Sequence, residues 1–110
     1  MASKTDNGIS VSTPEVKWSY VFIPLPPLNE GEGVSITFQV TKGRVNLGLS
    51  EDNQATGLYS EHDYTSSSHV IETVLIPDNI HEKYLAIRNV FLEGEESVIT
   101  IENIKVGTIN

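Results

Sequence analysis

Aromatic and planar polar side chains recur at positions of equal parity in three segments of this sequence. The six residues are Trp18, Tyr20, Arg44, Asn46, Tyr84 and Arg88. In an extended strand, residues two apart point to the same face, so each segment would present its pair of side chains to one surface. Aromatic rings stack on the apolar face of a pyranose, and guanidinium or amide groups pair with its hydroxyls. These residue types therefore indicate carbohydrate binding, although Trp18 and Tyr20 could equally belong to a hydrophobic core.

Arg88 lies inside the stretch KYLAIRNVFL (83–92), which otherwise has the pattern of a buried strand. If the apolar residues of this stretch face the core, Arg88 points to the opposite face of the sheet. There it either forms an ion pair with a carboxylate such as Glu72 or Glu102, or it keeps its donors free for a ligand. Asn89 then points toward the edge of the core, where its amide can satisfy backbone groups of loops.

The sequence contains no motif that requires catalysis. Serine-nucleophile, zinc-protease and phosphate-loop motifs are all absent, and there is no cysteine. His62 stands between Glu61 and Asp63, but in a strand both acidic neighbours would point away from the histidine and could not orient it as a base. We therefore expect a protein that is not an enzyme.

The segment VITIENIKV (98–106) changes the face of its apolar residues at Glu102 and Asn103. Such a change of parity is typical of a β-bulge. A bulge at an edge would bend the strand, and it could also expose carbonyl groups and the Glu102 carboxylate as ligands for calcium. We expect Glu102 to share one sheet surface with Arg44, Asn46, Tyr84 and Arg88.

The composition limits the partners of the chain. Its 110 residues correspond to one domain, and its formal net charge is −8. Binding to nucleic acid or to an anionic membrane needs a concentrated basic surface, so neither is expected. The start MASKTDNG lacks the basic flank and the apolar stretch of a secretory signal, and the cellular compartment stays open.

Short segments with period-two alternation dominate the chain, and turn residues separate them. We predict strands at 18–23, 34–40, 44–49, 57–61, 70–76, 84–90 and 98–106. Residues 1–14 are polar and are predicted to form a flexible arm, which leaves residues 15–110 as a single domain. Thr41, Lys42 and Gly43 are predicted to close a tight hairpin, with Gly43 in a left-handed conformation. Seven short strands in about 100 residues predict an all-β, antiparallel β-sandwich or a small barrel.

Three segments of the chain resemble the galactose-binding-like, jelly-roll domains that occur as carbohydrate-binding modules and as accessory domains of bacterial glycan-processing enzymes. They are GRVNLGLSEDN (43–53), YLAIRN (84–89) and ITIENIKV (99–106). The resemblance implies a jelly-roll β-sandwich that binds a glycan without catalysis. It also implies a calcium site near the closing strand, where many such domains have Asp in place of Glu102. The alternative is a structural module that assembles with further copies of itself or docks onto an associated enzyme.

Overall fold

Alternation of apolar and polar side chains produces nine strands in the part of the chain that the structure describes. The computed structural model describes residues 2–5, 8–15, 18–52, 58–77, 81–92 and 94–108. The strands are β1 (Ala2–Thr5), β2 (Gly8–Ser12), β3 (Tyr20–Pro24), β4 (Glu32–Lys42), β5 (Arg44–Ser50), β6 (Leu58–Thr65), β7 (Ile71–Leu75), β8 (Tyr84–Asn89) and β9 (Val98–Thr108). No helix within these ranges is long and apolar enough to cross a membrane. All seven strands predicted from the alternation are present.

The strands form two antiparallel sheets that pack face to face. The five-stranded sheet has the order β1-β2-β9-β4-β7, and the four-stranded sheet has the order β3-β8-β5-β6. The all-β sandwich predicted from the sequence is confirmed. Each sheet turns one face to the core, because two layers are the smallest arrangement that buries the apolar face of both.

The core consists of the inward residues of both sheets. Its buried members are Val11, Leu28, Val34, Ile36, Phe38, Val40, Val45, Leu47, Leu49, Leu75, Leu85, Ile87, Ile99 and Ile101. The ring of Phe38 meets that of Tyr64 edge to face, with 4.9 Å between their centroids. Because strand residues alternate, every inward residue of β5 and β8 has outward neighbours on the other face of the four-stranded sheet.

The hairpin predicted between β4 and β5 is wrong. β4 pairs with β7 and β9, whereas β5 pairs with β6 and β8 in the other sheet. The connection therefore crosses from one sheet to the other. Since β4 already has a neighbour on each side, no edge was left for β5. The left-handed conformation of Gly43 is confirmed, with φ of 79°.

The N-terminal segment belongs to the sandwich, which contradicts the prediction of a flexible arm over residues 1–14. β2 pairs with β9 along its length, and Val11 is completely buried. Thr13 continues the contact, because its backbone N–H donates to the carbonyl of Ser97. Ile9 and Val11 supply a short alternation that the surrounding Ser and Thr residues concealed. Residues 1, 6 and 7 lie outside the described ranges.

The bulge predicted in the closing strand is confirmed. Thr37 of β4 pairs with Asn103, and the next residue, Phe38, pairs with Ile101. Glu102 is therefore the extra residue of β9, and the strand changes its inward parity at this point.

Candidate functional site

One row of side chains crosses the outer face of the four-stranded sheet. Tyr20 of β3 pairs with Arg88 of β8, Arg88 pairs with Asn46 of β5, and Asn46 pairs with Asp63 of β6. Their neighbours along each strand point inward, so the row itself faces away from the core. The antiparallel register thus brings together three of the six side chains that the sequence singled out, although they are far apart in the chain.

Aromatic side chains form a continuous cluster beside this row. The rings of Tyr20 and Phe22 are stacked, with 5.4 Å between centroids and 17° between planes. Phe22 meets Tyr84 edge to face at 6.2 Å. Beside Phe22, in register with it on β8 and β5, lie the small residues Ala86 and Gly48. The small residues let the rings lie close over the sheet, and Phe22, which was not among the six candidates from the sequence, joins the site.

Trp18 reaches the same face through a bulge between β3 and β8. Its backbone N–H donates to the carbonyl of Asn89 at 2.7 Å, and the N–H of Asn89 donates to the carbonyl of Ser19 at 2.8 Å. Trp18 and Ser19 thus lie opposite the single residue Asn89. Trp18 has φ of 73°, the left-handed conformation of a type of bulge that usually has glycine at this position. The Trp18 side chain is 51% exposed. Bulges of this kind redirect a side chain, and here the indole comes to lie over Arg88.

The guanidinium of Arg88 lies against two aromatic rings. Its Cζ atom is 4.6 Å from the centroid of the Trp18 ring and 5.3 Å from that of Tyr20. Both distances are within the range of cation–π attraction. The Nε atom of Arg88 is buried and has no hydrogen-bond partner among the described residues.

The ion pair suggested for Arg88 is not formed. Glu72 lies on β7 and Glu102 on β9, and both strands belong to the five-stranded sheet. Arg88 lies on β8 in the other sheet, so neither carboxylate shares its surface. The expectation that Glu102 would share one sheet with the other candidates is therefore wrong, because alternation within a strand does not reveal which sheet the strand joins.

Arg44 and Asn46 share one carboxylate at the far end of the row. The Nη2 of Arg44 lies 3.0 Å from Oδ2 of Asp63, and the Nδ2 of Asn46 donates to Oδ1 of Asp63 at 2.8 Å. The Arg44–Asp63 pair is about half exposed, so it contributes under about 1 kcal/mol to stability. Asp63 was considered only as a neighbour of His62. Asp63 and Thr65 are two residues apart in β6, and both are polar. This spacing was the sequence signal that could have placed Asp63 on the outer face.

Asn89 supports the bulge from inside the sandwich, as predicted for this residue. Its side chain is 0% exposed. The Nδ2 group donates to the carbonyls of Pro14 at 3.1 Å and Glu95 at 2.8 Å. The Oδ1 atom accepts from the N–H of Phe91 at 3.0 Å and from the hydroxyl of Ser97 at 2.9 Å. One amide therefore ties three segments of backbone together beneath Trp18.

An open cavity of about 320 Å³ adjoins the aromatic cluster at Tyr84. Its lining residues are Pro24, Leu25, Pro26, Pro27, Leu28, Glu82, Lys83 and Tyr84. Pro24 and Tyr84 are paired in the sheet, so the cavity extends the outer face beyond the ends of β3 and β8. Three prolines restrict the backbone of its wall.

The arrangement supplies stacking surfaces and hydrogen-bond donors and acceptors. His62, Glu61 and Asp63 are all exposed on β6, and none of them lines the cavity beside Tyr84. Within the described residues, no three His, Cys, Asp or Glu side chains lie close enough together to hold a metal ion, and Glu102 is exposed on the other sheet.

Comparison with known proteins gives matches among solved structures. No protein-family model and no curated protein sequence matches the chain. A variant of CBM29-2, studied for ligand recognition by family 29 carbohydrate-binding modules, matches with a TM-score of 0.71 and 15% identity over 98% of this chain and 75% of its own. A second CBM29-2 variant has a TM-score of 0.67 and 16% identity over 94% and 68% of the two chains. A CBM4 structure has a TM-score of 0.61 and 12% identity over 98% and 88%. The chain therefore has the β-sandwich fold of carbohydrate-binding modules.

Proposed function

We propose that this protein binds a carbohydrate on the outer face of its four-stranded sheet and catalyses no reaction. The observation that carries the proposal is the aromatic cluster of Trp18, Tyr20, Phe22 and Tyr84, in which two rings lie against the guanidinium of Arg88. Similar solved structures with the same fold are carbohydrate-binding modules, which supports the proposal.

The aromatic rings and the polar side chains of the row make different kinds of contact with the sugar. Trp18 is the most exposed ring of the cluster, and an exposed indole can stack on a pyranose. Arg88, Asn46 and Asp63 offer donors and acceptors to the hydroxyl groups at the edge of the sugar. Arg44 holds Asp63 in place. Because each polar group must give up its water to bind a hydrated ligand, we expect weak affinity at a single site.

A glycan array followed by a fluorescence titration tests the proposal. Trp18 is the single tryptophan of the chain, so its emission reports on the site without interference. We expect a saturable change in Trp18 emission with each glycan that the array identifies. Tyr84→Ala keeps the reporter, removes one ring, and should weaken binding at least about fivefold, since stacking contacts contribute about 1 kcal/mol or more.

A residue on the other sheet provides the matched control. Asn103→Ala changes an exposed polar residue on the five-stranded sheet and should leave the affinity unchanged. A blank array together with unchanged Trp18 emission at millimolar glycan would contradict the proposal.

The edge strand β7 favours a second function that is compatible with the first. Its outer face carries Val74, and Val70 and Ile76 flank it with the same parity. These side chains are 48%, 47% and 61% exposed. β7 has one neighbour in its sheet, and its pairing with β4 runs without a bulge. A straight edge strand with exposed apolar side chains is a surface on which another strand can pair.

β7 carries one charge on its outer face, Glu72, and the other three edges have further protection. β6 carries Glu61 and Asp63 and contains a register shift, β3 ends at Pro24, and β1 has only four residues. Charges, bulges, prolines and short length all discourage strand addition. We propose a second copy of this chain as the occupant of β7, because two identical edges can pair antiparallel about a two-fold axis. Such a dimer would leave both outer faces of the four-stranded sheets open.

A further inference from the structure

Arg88 carries a positive charge that no described residue neutralises. Its neighbours in the row are Tyr20 and Asn46, which are uncharged. No hydrogen bond or ion pair joins the Arg88 side chain to any residue in the described ranges. Its Nε atom is buried, so a ligand would have to meet the guanidinium through its Nη groups.

The second arginine of this face is different. Arg44 lies 3.0 Å from Asp63, so its charge is already balanced within the protein. Asp63 also accepts from Asn46, and the strand β5 separates it from Arg88. The nearest carboxylate of the row is therefore engaged elsewhere.

Contacts with the rings of Trp18 and Tyr20 offset part of the cost of holding a half-buried guanidinium. They leave its charge in place and supply no acceptor for its donors. A carboxylate supplies both, because its two oxygens match the fork of a guanidinium and form charge-assisted hydrogen bonds. Both partners are then ionised, and two parallel bonds also fix the geometry of the contact.

We infer that the preferred ligand is a glycan with a carboxylate, namely a uronic acid unit, that binds Arg88 while neighbouring sugars stack on the aromatic cluster. This inference rests on the proposed function and specifies its ligand. The face offers one unbalanced guanidinium, and the whole chain has a net charge of −8. A densely charged polyuronate would be repelled by that net charge, so the ligand is a neutral chain with isolated uronic acid units.

The test compares an acidic oligosaccharide with its neutral counterpart on the unmodified protein. The probe is a glucuronoxylan oligosaccharide with a single glucuronic acid unit, and its counterpart is the same molecule after reduction of the carboxyl group. The two differ by one carboxylate, so the backbone contacts are matched. We expect the reduced form to bind about tenfold more weakly or worse, measured by Trp18 emission and by calorimetry.

The same measurement separates failure of the inference from failure of the proposed function. If the reduced form binds as tightly as the acidic one, or if only other neutral glycans bind, the inferred preference for a uronic acid is overturned. The proposed carbohydrate binding then still holds. If no glycan of either kind binds, the proposed function itself is overturned. Binding of polygalacturonate more tightly than the singly charged oligosaccharide would overturn the requirement for isolated charges.

Two variants assign the preference to Arg88. Arg88→Gln keeps a planar donor but removes the charge, and it should bind both forms of the oligosaccharide with equal affinity. Lys105→Gln removes a positive charge from the exposed surface of the five-stranded sheet and should retain the full preference. A preference that persists in Arg88→Gln would overturn the assignment, whereas the ligand comparison on the unmodified protein does not depend on how that variant folds.

Discussion

Arg88 and Asn89 are neighbours in the chain, and β8 sends their side chains to opposite sides of the four-stranded sheet. Arg88 lies against two aromatic rings on the outer face, where no described carboxylate balances its charge. Asn89 is fully buried, and its side chain makes four hydrogen bonds to residues that the structure describes. One residue thus serves the candidate site directly, and the next one stabilises the bulge that presents Trp18.

The left-handed backbone conformation of Trp18 is expected to lower the free energy of unfolding, although the Trp18 side chain contributes to the proposed binding site. A non-glycine residue at a left-handed φ is strained by about 1–2 kcal/mol, because its Cβ approaches the following carbonyl. Trp18→Gly and Trp18→Ala both remove the indole, and they differ only in that Cβ. We expect the glycine variant to be more stable than the alanine variant by about 1 kcal/mol in denaturant unfolding.

Both Trp18 variants should lose most of their affinity for glycans, because neither retains a ring at this position. Equal stability of the two variants, or greater stability of the alanine variant, would show that the backbone at position 18 is not strained. The comparison needs no assumption about the lost ring contacts, since both variants lack them.

At the scale of secondary structure, two irregularities decide how the strands present their side chains. The bulge at Trp18 turns an aromatic side chain onto the outer face of the four-stranded sheet. The bulge at Glu102 changes the inward parity of β9, so that Ile101 and Ile104 both contact the core. Each bulge interrupts the regular pairing of its strands. In return, it places a side chain on a face that the regular alternation of the strand would not give it.

The turn between β4 and β5 is the point where the chain changes sheets, and Gly43 makes it possible. A Cβ at this position would collide with the hydroxyl of Ser97 and lie 3.1 Å from the ring of Phe91, and φ is 79°. Ser97 is held in place, because its hydroxyl oxygen accepts from the backbone N–H of Arg44 and its own backbone N–H donates to the hydroxyl of Thr13. We expect Gly43→Ala to lower the free energy of unfolding by about 2–4 kcal/mol in denaturant titrations.

Gly31→Ala is the control for the steric part of this effect. Gly31 has a similar φ of 82°, but a Cβ there would meet no atom within 4 Å. Its replacement should cost only the backbone strain of about 1–2 kcal/mol. Equal losses for the two variants would mean that the crowding around Gly43 contributes nothing.

At the scale of the whole molecule, the two sheets have different outer surfaces. The four-stranded sheet exposes rings around one guanidinium, whereas the outer surface of β4, β7 and β9 is formed by residues such as Ser35, Thr37, Glu72 and Lys105. The first surface suits a sugar, and the edge of the second suits another strand. The proposed binding site and the proposed dimer contact therefore lie on different sheets and can operate at the same time.

Self-association through β7 is tested by Val74→Lys. A lysine on the outer face of an edge strand discourages strand pairing, and Val74 is exposed enough that the fold should tolerate the change within about 0.5 kcal/mol. We expect light scattering to give twice the mass of one chain for the unmodified protein at high concentration and the mass of a single chain for the variant.

Thr65→Lys places the same charge on the edge strand β6 and should leave the mass unchanged. If the unmodified protein remains monomeric at millimolar concentration, β7 is not a contact between copies. Glycan binding at a single site should be unchanged in Val74→Lys, since Val74 lies on the other sheet.

The sequence by itself determined seven of the nine strands, the sandwich and the change of parity at Glu102, because alternation depends only on whether each side chain faces water or the core. It also indicated Trp18, Tyr20, Arg44, Asn46, Tyr84 and Arg88 as candidate site residues by their type. Tertiary structure decided which strands are neighbours. That choice placed Asp63 beside Asn46, removed Glu102 from the surface of Arg88 and brought β2 into the sheet. Pairing depends on contacts between residues distant in the chain, and the pattern of a single strand contains no information about its neighbour.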